Sequence, residues 1–234
     1  LRWPVDSSLA KRLPGQHVRD VHRRAKYQLL ELDGGTLIAH LGMSGSLRLV
    51  PVETPWLKHD HYELQLAGGR CLRCNDPRRF GSLHWVTGDP LEHPLLAGLG
   101  PEPLDATLDG AYLAERARRR KVAVKQFLMD QRIVVGVGNI YASEALFRAG
   151  IHPRRAAGKV SAERYERLAR AVKAVLGEAI EQGGTTLRDY VSADGTPGYF
   201  RQELFVYERD GEPCRRCGTP IRKFAQGQRS TYFC

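Results

Sequence analysis

The chain has no long apolar run. None approaches the roughly 18 residues that a membrane-spanning helix needs, so no such span is expected. The N-terminus carries neither a signal-peptide nor a transit-peptide pattern, and it also lacks a methionine, so Leu1 need not be the true start. No internal repeat is present, which sets aside a repeat architecture. Acidic residues are the minority: 26 Asp and Glu stand against 36 Lys and Arg, a formal net charge of +10. That balance says nothing about fold, but it favours an acidic partner, most often nucleic acid. The excess is concentrated, because residues 111–160 hold 11 Lys/Arg against 3 Asp/Glu. A binding face requires such a concentration.

Cysteines are few and odd in number: Cys71, Cys74, Cys214, Cys217 and Cys234. In a chain of 234 residues this argues against a secreted disulfide framework and for metal binding in a reducing cytoplasm. The length allows one large domain, or two to three small ones, with a real core. A hydrophobic content of 42% is ordinary for a globular chain.

Residues 1–87 read as β-rich. YQLLEL (27–32), TLIAHLG (36–42), SLRLV (46–50) and YELQLAG (62–68) are short, partly alternating runs divided by Gly and Asp. They suggest antiparallel strands in a sandwich or barrel. Residues 88–110 are rich in Pro and Gly and read as a linker. KVAVKQFLMD (121–130) looks helical, and GNIYASEALFRAG reads as a helix that Gly150 ends. Ser161 is a credible N-cap for the next helix. There Leu168, Ala171, Val172, Val175, Leu176, Ala179 and Ile180 form an apolar stripe ending at Gly183-Gly184. Residues 185–200 look like a loop, and 203–214 looks like a strand leading into a cysteine turn.

Several motifs carry chemistry. Cys214, Cys217 and Cys234 make a C-x2-C-x16-C array, the first three ligands of a four-cysteine zinc ribbon. A fourth would lie just past Cys234. Cys71 and Cys74 repeat the C-x2-C spacing, but strand residues three apart point to opposite faces, so they read as ordinary strand residues. In GVGNIYASE (136–144), two glycines precede a helix whose N–H groups, with Asn139, can hold a phosphate. Many glycine turns bind nothing, but the RARRRK run (116–121) adds weight here. NDPRRFG (75–81) sets two arginines and Phe80 in a turn. Arginine can grip bases or phosphate, and an aromatic wedge can fill a gap between stacked bases. A surface ion pair beside a core Phe is the plainer reading of that motif alone. Met43 lies between glycines in HLGMSGS, where packing is its usual role. Lys26 heads a strand in RRAKY, and KHDHYEL alternates His59 with His61.

Taken together, and in this order, these motifs with LGPEPL, EQGGTTLRDY, GTPGYF and EPCRRCGTPI resemble bacterial formamidopyrimidine-DNA glycosylases, which remove oxidised purines such as 8-oxoguanine. The likeness covers essentially the whole chain. The endonuclease VIII branch is a poorer match. The resemblance implies an α+β multidomain fold: an antiparallel β-sandwich (1–100), a helical domain with a helix–two-turns–helix element (101–200), and a zinc ribbon (201–234). It implies one structural zinc ion held by Cys214, Cys217 and Cys234. It also implies a monomer in the bacterial cytoplasm whose partner is duplex DNA containing oxidised purines.

By the same resemblance, Met43, Arg78 and Phe80 would fill the hole left by a flipped nucleotide. Lys26 would be the catalytic lysine near the scissile phosphates. His59, Arg79, Lys121, Lys125 and Asn139 would hold backbone phosphates, and Arg229 would grip phosphate and assist elimination at the abasic site. The stretch 185–199 matches the loop over the flipped base, with Thr196 where some relatives have Lys. The family begins Pro-Glu, with the proline amine as nucleophile and the glutamate as acid/base. LRWPV matches a point inside the first domain instead, so these residues are expected to be a piece of a longer chain and inactive by themselves. A non-catalytic lesion-binding protein is the alternative if Leu1 is the true start. A zinc-ribbon RNA binder would explain the charge and cysteines but not DPRRFG or GVGN.

Overall fold

The structure is a computed structural model that describes residues 1–181 and 204–234. It divides into two compact units, with residues 1–97 in the first and the described residues from 98 onward in the second. No helix among the described residues is long and apolar enough to cross a membrane.

The first unit opens with a short helix, α1 (Leu9–Arg12). Its strands are β1 (Val18–Arg24), β2 (Tyr27–Leu32), β3 (Gly35–His40), β4 (Ser46–Pro51), β5 (Asp60–Leu66), β6 (Arg70–Asn75) and β7 (Ser82–Val86). They form two antiparallel sheets, ordered β1-β2-β3-β7 and β4-β6-β5. Alternation places Leu30, Leu37 and Leu83 of the first sheet against Tyr62, Leu64 and Leu72 of the second. Sheet on sheet around one apolar layer is a sandwich. The four strands named from sequence recur as β2 to β5, shifted by two residues at most at their starts. β1 and β7 carried no signal. β1 reads VRDVHRR and is exposed along nearly its whole length, so only its backbone pairing with β2 defines it. Cys71 and Cys74 are buried residues of β6, as their spacing suggested.

Residues 88–110 are more than a linker. Asp89 caps a 3-10 turn over Pro90–Glu92, and Leu96 and Leu108 are both buried. Leu108 belongs to the core of the second unit. Composition marked the Pro and Gly but not the two leucines that hold the segment down.

The second unit is built on α2 (Gly110–Ala117), α3 (Val124–Leu128), α4 (Asn139–Ala149) and α5 (Ala162–Glu181). Asp109 caps α2 by accepting the Tyr112 N–H at 2.7 Å. Between α3 and α4 the chain makes two turns, the first closed by Ile133 N–H donating to Asp130 O at 2.8 Å. That is a helix–two-turns–helix element. Gly150, at φ 66°, ends α4 in the left-handed conformation. Ser161 Oγ accepts the Arg164 N–H at 3.4 Å at the head of α5. The expected stripe of α5 is buried from Leu168 to Ala179, but Ile180 is exposed. It is the last residue but one of the helix, beyond the apolar core. The expected stop at Gly183-Gly184 and the loop 185–200 lie outside the described residues.

The chain ends in a hairpin, β8 (Arg222–Gln226) and β9 (Arg229–Phe233). Val206, Cys214, Ile221 and Tyr232 form its small core, against which Phe147 of α4 packs. The strand expected over 203–214 is absent from its described part, which is a series of turns. The physical reason is Glu144 of α4. Its buried carboxylate accepts the N–H groups of Phe205, Val206 and Tyr207, each at 2.9 Å. Three successive amides converging on one carboxylate cannot serve a strand ladder.

Candidate nucleic-acid interface and metal centre

In the first unit, three connections at one end of the sandwich carry five of the singled-out residues. Met43 lies in the β3–β4 turn, His59 in the turn before β5, and Arg78, Arg79 and Phe80 between β6 and β7. Met43 and Phe80 are exposed, at 69% and 46%. Large apolar side chains held in the open in this way are poor packing residues and good wedges. The Arg78 guanidinium stacks over the Phe80 ring at 5.0 Å. His59 and Arg79 sit at φ 77° and 59°, conformations that non-glycine residues seldom adopt.

Asp76 ties these loops together. It is completely buried. Its carboxylate accepts the Ser44 hydroxyl at 3.2 Å and the Gly81 N–H at 2.7 Å. Its own N–H donates to His59 O at 2.9 Å, and its carbonyl accepts the Arg79 N–H at 3.2 Å. The His61 ring nitrogen lies 2.9 Å from that carbonyl. Gly42 makes the close approach possible: a Cβ there would meet Phe80 Cβ at 2.8 Å. Lys26, exposed in the β1–β2 turn, joins this end through His40. Burial, and then the Lys26 ammonium, hold His40 below the ordinary imidazole value. The His40 ring also contacts Tyr27, 4.9 Å between centroids.

In the second unit, Lys125, Asn139 and Arg229 converge from α3, the start of α4 and the start of β9. Lys125 is buried, and its ammonium donates to Asn139 Oδ1 at 2.7 Å, Thr231 Oγ1 at 2.8 Å and Ser230 O at 3.2 Å. Asn139 Nδ2 donates to Ser230 O at 3.0 Å. Among the described residues no carboxylate pairs with Lys125. Burial, and then the Arg229 charge, push it down to about 8. A buried cation facing only neutral acceptors and another cation favours the approach of an anion. Lys121 is exposed on the segment entering α3.

Cys214, Cys217 and Cys234 bring their sulfurs within 4.8 Å of one another. The Cys217 and Cys234 sulfurs are 3.5 Å apart. Hydrogen bonds from Thr219 pull the Cys217 thiol down to about 7, and the neighbouring Cys217 pushes Cys234 up to about 12. Crowded sulfurs, one of them disposed to ionise, are the donor set of a tetrahedral thiolate site. They fit one structural zinc ion.

Three family descriptions match. The formamidopyrimidine-DNA glycosylase N-terminal domain covers residues 1–83 and the formamidopyrimidine-DNA glycosylase H2TH domain covers 99–191. A zinc finger found in FPG and IleRS covers 211–234. The chain belongs to the formamidopyrimidine-DNA glycosylase family. The family protein of Syntrophotalea carbinolica is 61% identical over 234 residues, which span all of this chain and 86% of that one. The family protein of Stenotrophomonas maltophilia is 59% identical with the same coverage. Among solved structures, the Lactococcus lactis Fpg in complex with DNA containing an abasic site is 36% identical. It superposes with a TM-score of 0.88 over 97% of this chain and 84% of that one. MutM (Fpg) from Thermus thermophilus is 42% identical, with a TM-score of 0.82 over 94% and 82%.

Within this glycosylase family fold, sequence reasoning missed three residues of the site. Asp76 is one more residue of the NDPRRFG turn as far as the sequence shows. His40 was hidden inside a strand. Glu144 looked like one more polar helix residue, although a lone acid on the apolar face of α4 was the available signal. Thr196 lies outside the described residues.

Proposed function

We propose that this glycosylase excises oxidised purines, 8-oxoguanine and formamidopyrimidines, from duplex DNA in base-excision repair, and that it then cleaves the abasic site by β/δ elimination. The observation that carries the reading is the Lys125–Asn139–Arg229 group, in which a buried ammonium has no counter-anion among the described residues. A backbone phosphate has the charge and acceptor oxygens to complete it. His59, Arg79 and Lys121 supply further phosphate contacts. C1′ of a stacked nucleotide is closed to attack, so the base must leave the helix first. Met43, Arg78 and Phe80 fill the space it vacates and offset the lost stacking. Lys26 acts beside the scissile phosphates, and Arg229 grips phosphate during the second elimination.

In this family an N-terminal proline amine attacks C1′. The base departs with the glycosidic electron pair, and an iminium links protein to sugar. Cys214, Cys217 and Cys234 would hold a zinc ion that fixes the hairpin presenting Arg229. The working domains are residues 1–100, 101–200 and 201–234, acting as a monomer in the bacterial cytoplasm.

Sodium borohydride reduces the iminium to a stable amine. The intact mass of the natural protein, treated with borohydride and an 8-oxoguanine duplex, is therefore expected to rise by that of the attached DNA. Binding of the duplex with no adduct would refute the enzyme and leave a non-catalytic lesion binder.

A further inference from the structure

We propose that Asp76 is the positioning residue of base extrusion: its buried carboxylate locks the Met43 turn to the Arg78–Phe80 loop, so that the three side chains enter the duplex as one wedge. The inference rests on the wedge reading of those residues given above.

Asp76 is completely buried, and among the described residues no cation pairs with it. Burying a carboxylate on neutral donors alone is costly, so its donors indicate what it is for. They belong to different loops. Ser44 is the residue after Met43, and Gly81 is the residue after Phe80. One carboxylate thus fixes the distance between the two arms of the wedge. The backbone of the same residue holds the turns of His59 and Arg79, both in positive-φ conformations. Strain of this kind persists only where surrounding bonds over-determine it. A wedge must keep its shape while displacing a stacked base, since motion between its arms would spend binding energy on ordering them.

The geometry separates positioning from simple turn-capping. Capping needs only the bond to Gly81. Positioning needs the bond to Ser44 as well. An asparagine can keep both, accepting from Gly81 N–H with its oxygen and donating to Ser44 Oγ with its nitrogen. Alanine keeps neither.

The test uses the full-length enzyme and four variants: Asp76→Ala, Asp76→Asn, Ser44→Ala and Phe80→Ala. Excision of 8-oxoguanine is measured under single turnover on two duplexes, one with the lesion paired to cytosine and one with it in a bulge, where little extrusion work remains. The readout is the ratio of the two rates, with 2-aminopurine fluorescence reporting unstacking. Asp76→Ala is expected to lower the ratio about tenfold, the worth of one buried charge-assisted hydrogen bond. Ser44→Ala should lower it about threefold, a weaker hydroxyl bond, and Asp76→Asn should restore it. If Asp76→Ala slows both duplexes equally, or Ser44→Ala leaves ratio and unstacking at wild-type values, the positioning role is overturned. Should Asp76→Ala fail to fold, Ser44→Ala decides alone. If Phe80→Ala also leaves the ratio unchanged, the wedge itself is refuted, a different failure from that of Asp76.

Discussion

Lys125 is expected to make DNA affinity depend on pH, and the size of the effect follows from its surroundings. Its amine sits at about 8 in the free protein because it is buried and faces Arg229. Tyr207 is also near: its hydroxyl lies 3.4 Å from Asn139 Nδ2. A phosphate entering this cradle favours the ammonium and raises its pKa. The free-state value is then the lower of the two, so binding takes up a proton once the pH exceeds about 8. Affinity falls as pH rises through that value. At pH 7 roughly nine-tenths of the free protein already carries the charge, and at pH 9 roughly one-tenth does, so affinity should drop about tenfold over the interval. Fluorescence anisotropy with a duplex carrying a non-cleavable abasic analogue, at fixed ionic strength, reads this directly. The window lies above the ordinary range of histidine titration. Lys125→Met should bind more weakly at pH 7 and lose the slope. A wild-type curve flat from pH 7 to 9, or a slope that survives in Lys125→Met, would refute the reasoning. Folding carries the opposite sign. The amine keeps its proton to higher pH in the unfolded chain, so the fold gains stability as pH rises from about 8 towards the ordinary lysine value of 10.5.

Three further outcomes are expected. Glu144→Gln leaves one of three converging amides on the described turn without its carboxylate acceptor, so urea unfolding should show a loss of about 2 kcal/mol. Gly42→Ala forces alanine to φ 69° and drives its Cβ into Phe80, so the variant should lose about 2 kcal/mol in the same assay and excise more slowly. Removing zinc with a chelator should release the β8–β9 hairpin, whose own buried core is four residues, and weaken duplex binding about tenfold or more as Arg229 is freed. Anisotropy against a zinc-release dye checks this, and unchanged binding after complete release would count against it.

The sequence by itself determined the elements whose signals are local. Alternation marked β2 to β5, because one face of each strand must meet the sandwich core. The stripe from Leu168 to Ala179 and the left-handed Gly150 marked α5 and the end of α4. The cysteine spacing marked the metal centre, because thiolate ligands on a tight knuckle need two intervening residues. Only the tertiary structure decided what depends on partners far along the chain. β1 exists because β2 pairs with it, not because its own residues bury anything. The turns at 204–213 replace a strand because Glu144 reaches them from α4, some 60 residues away in sequence. The low pKa of Lys125 comes from a hairpin about a hundred residues downstream. Asp76 becomes a brace instead of a turn residue because Ser44, on another strand connection, donates to it. Burial and charge at a point in space are sums over everything packed there, and no local pattern in the chain records them.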